Sequence, residues 1–230
     1  MSFAAKAKSY YKPPCRIANI KGFMIAELFF GILQWISLVF IFTFHNYIKA
    51  ITVVKLGDDT PKRLGFTTLN PLVHSDLIGT VILPLFLILL RTPIIFGWPR
   101  PVPIDYHRLR DINKDSLIIS LVSIFSYFFI ASVGYLLYKL LLILPLPSNF
   151  DVLILLFKSV FLISAFFAFL NLLPIPPLDV GIVLLLLLKK DIDEIQRYSF
   201  YGSFVILILF MSGLINYLFQ PIIKFLVSLL

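Results

Sequence analysis

The sequence predicts an all-α, polytopic membrane protein, and two observations carry that prediction. Residues AVILMFWYC make up 60% of the 230-residue chain and DEKR only 14%, where a soluble domain carries about 25% charged residues. A chain this apolar cannot cover its own surface with polar groups, so lipid covers part of it. The second observation is a series of apolar runs, several long enough for the roughly 20 residues a spanning helix needs, separated by stretches rich in Pro and charge. The 20 Lys+Arg against 12 Asp+Glu leave a net charge of +8. In a soluble protein that excess would suggest nucleic acid. Here the cations lie between and before the apolar runs, as in cytoplasmic loops and headgroup anchors, so the partner they imply is the bilayer and no nucleic acid is expected. The single cysteine, Cys15, excludes an internal disulfide and a thiolate-rich metal site.

Taken in order, Met1 to Lys21 holds Lys6, Lys8, Lys12, Arg16 and Lys21 without an acid. The run behind it is too long for a signal peptide and lacks a small-residue cleavage site. Residues 1–23 therefore read as a basic cytoplasmic arm, and residues 24–230 as one integral-membrane domain. Leu28 to Phe44 continues more weakly through Lys55 as the first span, with His45, Asn46 and Lys49 at its far end. Gly57 to Ser75 is polar and rich in turn residues. Leu77 to Trp98 is a second apolar run, interrupted by Arg91 and Pro93; Pro99 to Asp115 belongs outside hydrocarbon or in a re-entrant loop. Leu117 to Leu144 and Val152 to Leu173 are further spans, with Lys158 snorkelling from the second. Ile182 to Leu188 is too short to span and continues a discontinuous element. Phe204 to Phe219 and Ile222 to Leu230 form a last span, kinked or divided at Pro221. Five or six crossings are expected.

Between two of these runs lies Asn171–Gly181, NLLPIPPLDVG. Unpaired backbone in hydrocarbon costs several kcal/mol per group and survives only where protein or water satisfies it. A broken, Pro-rich segment that also carries an acid, Asp179, therefore points to an internal cavity. Asn171, Pro174 and Pro177 would line or shape it.

Three motifs stand in order along the chain: Gly57–Thr80, GDDTPKRLGFTTLNPLVHSDLIGT; Phe96–Pro103, FGWPRPVP; and Asn171–Gly181. Together they resemble the small site-2 protease homologues, the intramembrane zinc metalloproteases, over most of the chain. The resemblance implies a multi-pass protein of a bacterial inner membrane with a zinc site inside the bilayer, hydrolysing transmembrane segments of other membrane proteins. It implies ligands from an H-E-x-x-H motif in the first span and from the Asp of the Pro-rich segment. Two His at i and i+4 share one helical face and one tetrahedral metal, which lowers the pKa of bound water to about 7. The Glu between them takes that water's proton.

At the motif position this chain reads His45-Asn46-Tyr47-Ile48-Lys49. Asn46 stands where the general base belongs and cannot act as one. Lys49 stands at the second His and is a poor ligand unless desolvation strips its proton. His45 and Asp179 remain as remnant ligands, although Val180 follows Asp179 where the family usually has Gly. Ser123, Ile124 and Tyr127 align with the relatives' Gly-Pro pair and Asn. His74 and Asn70, in NPLVH, belong to a loop motif the intact relatives share and are read as structural or gating residues. His107, among arginines, is read as solvated.

The expectation is therefore a pseudoprotease that binds transmembrane segments without cutting them, with no metal of its own. The alternative is an active zinc metalloendopeptidase with a rebuilt site. A transporter or channel would need a hydrophilic path, and a decaying gene product would need no site at all. Two arrangements of Lys49 stay open: its ammonium fills the metal's place beside Asp179, or it snorkels to the interface while Asp179 caps a helix. Trp35 and Trp98 read as interface anchors, Trp98 with a second reading as a cavity residue. Arg91 snorkels or meets an acid on a neighbouring helix.

Overall fold

The computed structural model describes residues 20–91, 95–145, 147 and 150–230. The basic arm up to Asn19, with Cys15, lies outside the described residues. The helices in chain order are α1 (Ile20–Lys55), α2 (Thr60–Arg63), α3 (Pro71–His74), a π-helical stretch (Leu77–Ile82) running into α4 (Leu83–Leu89), a 3-10 turn (Tyr106–Arg108), α5 (Ile112–Ile143), α6 (Asp151–Leu170), α7 (Asp179–Leu187), α8 (Ile192–Met211) and α9 (Leu214–Ser228). No strand occurs among the described residues; the one extended pairing is an isolated bridge between Ser75 and Pro99. The all-α expectation holds.

Three of these helices are long and apolar enough to cross a membrane: Ala26–Lys55 within α1, Ile112–Ile143 and Asp151–Leu170. The 20 residues of α6 rise about 30 Å, the thickness of a hydrocarbon core. The three pack against one another, and α5 makes its most extensive contact with α6. A buried stripe of small residues at helical spacing, Ser116, Ser120, Ser123, Ser126, Ala131 and Gly134, lets its backbone approach both neighbours. A Cβ on Gly134 would stand 3.1 Å from the backbone nitrogen of Phe161, so the α5–α6 crossing depends on its absence. The opposite face of α5 carries Phe125, Phe129 and Leu136, each more than 60% exposed. That face meets lipid. Around the crossing sits one apolar core, with Leu38, Ile41 and Phe42 of α1, Tyr127 and Ile130 of α5, Phe167 and Ala168 of α6, and Ile215 and Phe219 of α9. α5 starts sharply because Asp111 accepts from the amides of Asn113 and Lys114, while Asp115 accepts from the amide of Asp111. These bonds satisfy orphan donors of the first turn.

Leu77 to Trp98, the apolar run interrupted at Arg91 and Pro93, has its two ends joined as a hairpin. Its helical part, Leu77–Leu89, rises only about 20 Å. Arg91 then takes φ 56°, and the extended chain comes back so that the Trp98 amide donates to the Gly79 carbonyl and Arg100 to that of His74. A side chain on Gly97 would strike the Gly79 carbonyl. Trp35 of α1 donates its indole N–H to the Thr80 carbonyl at 2.8 Å, and Thr80 Oγ1 donates to the Trp98 carbonyl. Trp35 thus ties α1 to the hairpin, and Trp98 lies over Gly79. The C-terminal span, expected to be kinked or divided at Pro221, is divided at Gly213 instead, where φ is 75°, and Pro221 lies inside α9. Pro removes one N–H and its bond to a carbonyl four residues back; a left-handed Gly reverses the helix outright.

The Pro-rich turn between α6 and α7 contains a cis Pro176–Pro177 bond. α8 packs on this turn through Gly202, where a Cβ would overlap the Pro176 carbonyl. No side chain can replace that hydrogen. Gly202→Ala should destabilise the fold by at least about 2 kcal/mol, read as a shift in the denaturant midpoint in detergent; a change below about 0.5 kcal/mol would contradict the packing.

His74, expected as a structural or gating residue, is fully buried. Its Nε2 stands 2.7 Å from the Thr68 carbonyl and its ring lies edge-on to Phe66. Nε2 therefore carries the proton, and Nδ1, which has no partner, stays bare. Burial lowers its pKa from the usual 6.5, against the opposing effect of the Thr68 bond. Below about pH 6.5 the unfolded chain gains a proton that the folded chain refuses, so stability falls as pH falls from there toward the folded pKa. Melting at pH 7.5 and 5.5 should show this loss in the native protein and a smaller one in His74→Gln.

Candidate functional site

His45, Asn46 and Lys49 stand near the C-terminal end of α1, and α5 and α7 bring their partners to them. His45 stacks on Tyr127 with ring centroids 3.9 Å apart and planes 15° from parallel. Its Nδ1 lies 2.7 Å from Ser126 Oγ, and its Nε2 lies 3.4 Å from Ser123 Oγ. Ser123 Oγ donates to Asp179 Oδ2 at 2.7 Å, and the Lys49 ammonium reaches Asp179 Oδ1 at 3.4 Å. His45, Ser123, Tyr127 and Asp179 are all buried. The structure thus joins His45 to Asp179 through the Ser123 hydroxyl and Lys49 to Asp179 directly. Of the two arrangements left open for Lys49, it adopts the one beside Asp179.

The protons can be assigned from the acceptors. Ser126 donates its only proton to the Ser123 carbonyl at 2.7 Å, so its oxygen accepts from His45, and Nδ1 carries the imidazole hydrogen. Nε2 is then a bare lone pair. The Ser123 proton goes to the nearer and charged acceptor, Asp179, so Nε2 receives at most a weak share of it.

Asp179 opens α7 without capping it by its side chain. Asn171 does that work from the end of α6. Its Oδ1 lies 3.4 Å from the Asp179 amide, its carbonyl accepts from the Val180 amide, and its Nδ2 donates to the Phe167 carbonyl. The carboxylate therefore sits in the first turn of α7, where the helix dipole favours a negative charge. Tyr106, from the 3-10 turn, is close enough to feel both charges: burial raises its phenol pKa, with Lys49 opposing and Asp179 adding.

Asn46 points elsewhere. Its Nδ2 donates to the Arg100 carbonyl at 2.7 Å, fastening α1 to the returning strand of the hairpin. A carboxylate at this place would set two acceptors against each other. Pro174 and Pro177 are exposed, and so is Asn70, which caps α3 by accepting from the Leu72 amide. Around Asp179 the described side chains form a packed, hydrogen-bonded cluster. Sequence reasoning missed Ser126, Tyr106 and the Arg100 carbonyl; only Ser126 left a signal, as a member of the serine stripe on α5.

Zinc fits this donor set poorly. One imidazole lone pair and one carboxylate are two ligands, where a catalytic site needs three. A hydroxyl occupies the space between them, and an ammonium holds one carboxylate oxygen. No group of three His, Cys, Asp or Glu able to hold a metal occurs among the described residues.

Fold and cluster together define an all-helical integral membrane protein with a buried polar site at one end of its bundle. Over 106 residues the chain is 34% identical to a protein of Bacillus subtilis (strain 168) named "Putative zinc metalloprotease YwhC". It is metalloprotease-like in that sense. The match covers 46% of this chain and 45% of that protein, so the aligned region spans about half the length of the curated relative. No family profile matches the chain, and no solved structure matches it.

Lys49→Ala should cost about 3–5 kcal/mol, because it strands a buried carboxylate. Asn46→Ala should cost less, about 1–3 kcal/mol for one unpaired carbonyl. Adding Asp179→Asn to Lys49→Ala should recover part of the loss. Chemical unfolding in detergent ranks the variants, and equal costs for Lys49→Ala and Asn46→Ala would mean that the ion pair adds nothing.

Proposed function

We propose that this protein is a non-hydrolytic relative of the site-2 proteases, which holds transmembrane segments of other membrane proteins and leaves them uncut. The observation that supports this reading is the Lys49 ammonium on Asp179, at the place where the intact motif supplies a second imidazole. General-base loss alone costs about 10²–10⁴ in rate, and Asn46, turned to the Arg100 carbonyl, offers no base. Hydrolysis by a zinc-bound water would need both groups. The basic arm is placed in the cytoplasm on this reading, and reaction of Cys15 with an impermeant thiol reagent on the outer face of intact cells would contradict it.

The competing reading is an active zinc metalloendopeptidase with a rebuilt site, and the name of the Bacillus relative favours it. Metal analysis separates the two. The unmodified protein is expected to hold far less than one zinc per chain and to leave transmembrane peptides intact. Asn46→Glu with Lys49→His should gain zinc, with peptide cleavage following if the scaffold is unimpaired. Zinc near one atom per chain in the unmodified protein, or cleavage by it, would overturn the proposal.

A further inference from the structure

Along α5 and α6, running away from the His45–Asp179 cluster, these helices and α9 leave a groove of about 360 Å³ open to the lipid. Its wall is apolar, with Phe128, Ala131, Ser132 and Tyr135 of α5 facing Phe161 of α6 and Leu226 of α9. An open groove with so apolar a wall can take a hydrocarbon chain lying along α5 and α6.

What stands at one end of it is charged. Ring contacts between Phe128 and Phe169 and between Tyr135 and Phe161 set the antiparallel register of α5 and α6. That register brings Lys139 level with Lys158. Both continue the lining stripes at helical spacing, Lys139 four residues after Tyr135 and Lys158 three residues before Phe161. No carboxylate pairs with either lysine among the described residues. The Lys139 ammonium lies 5.5 Å and 5.7 Å from the ring centroids of Tyr135 and Tyr138. Tyrosine and lysine together mark the level of the headgroups. Lys158 lies seven residues into α6, about 10 Å along the axis, within reach of that level by snorkelling.

We propose that this groove is a binding site for an anionic phospholipid, with one acyl chain along α5 and α6 and the phosphate between Lys139 and Lys158. Charge complementarity sets the preference. Each lysine near the surface favours an anionic lipid by about five-fold over a zwitterionic one, so the pair gives roughly twenty-fold. The site is separate from the His45–Asp179 cluster and independent of whether the protein cuts peptides.

The test uses the full chain in detergent, titrated with dioleoylphosphatidylglycerol or dioleoylphosphatidylcholine and read by native mass spectrometry. The expected result is one phosphatidylglycerol bound roughly twenty-fold tighter than phosphatidylcholine. Lys139→Gln with Lys158→Gln should bring the two lipids to near parity, and Ser132→Phe, an exposed position that fills the groove, should weaken both. Inorganic phosphate at millimolar concentration should not displace the lipid; displacement would mean that the lysines bind phosphate alone and would overturn the groove's part. Equal affinity for the two lipids in the unmodified protein, or an unchanged preference in the double variant, would also overturn the proposal. So would a protein dimer that Ser132→Phe dissolves.

Discussion

A carboxylate buried among spanning helices must be paid for by something, and around Asp179 three separate elements supply it. α1 sends the Lys49 ammonium to one oxygen and α5 sends the Ser123 hydroxyl to the other. Asn171, at the end of α6, organises the backbone that carries it. Removing any of these leaves part of a charge without a partner in a medium that cannot solvate it. The small-residue face of α5 permits this arrangement, because only close helices let a serine and a lysine reach the same carboxylate. The ion pair is thus the point at which the three helices have to agree.

The same pair explains why the substitutions in the H-E-x-x-H position hang together. A lysine at residue 49 provides a single fixed charge, which one aspartate balances. A glutamate at residue 46 would add a second acid near it and would lose the Arg100 carbonyl as partner. Asparagine removes the extra charge and donates where a carboxylate could not. Two changes that look like independent losses in the sequence are consistent with each other in the structure.

Much of this was legible in the sequence, for physical reasons. Helical spacing puts residues 45 and 49 on one face, and an acid in a Pro-broken apolar segment is too costly to be idle. Composition and run length gave the membrane and the helices. The return of the Leu77–Trp98 hairpin was not legible, because apolar periodicity is the same for a segment that crosses and one that turns back. The Gly79–Trp98 contact that closes it involves a hydrogen and a ring far apart in sequence. Asn46 finding the Arg100 carbonyl was equally hidden, since every residue offers a carbonyl. The C-terminal break was misplaced because Pro221 is a louder signal than Gly213, yet only the glycine adopts the left-handed backbone that turns the chain.

Gly202 gives the site a mechanical property. Where α8 meets the Pro-rich turn, helix backbone rests on the Pro176 carbonyl with no side chain between them. Side chains act as springs, because they change rotamer when pushed; two backbones in contact do not. Asp179 is three residues beyond Pro176, so the backbone that α8 rests on is the one that leads directly into the helix carrying the carboxylate.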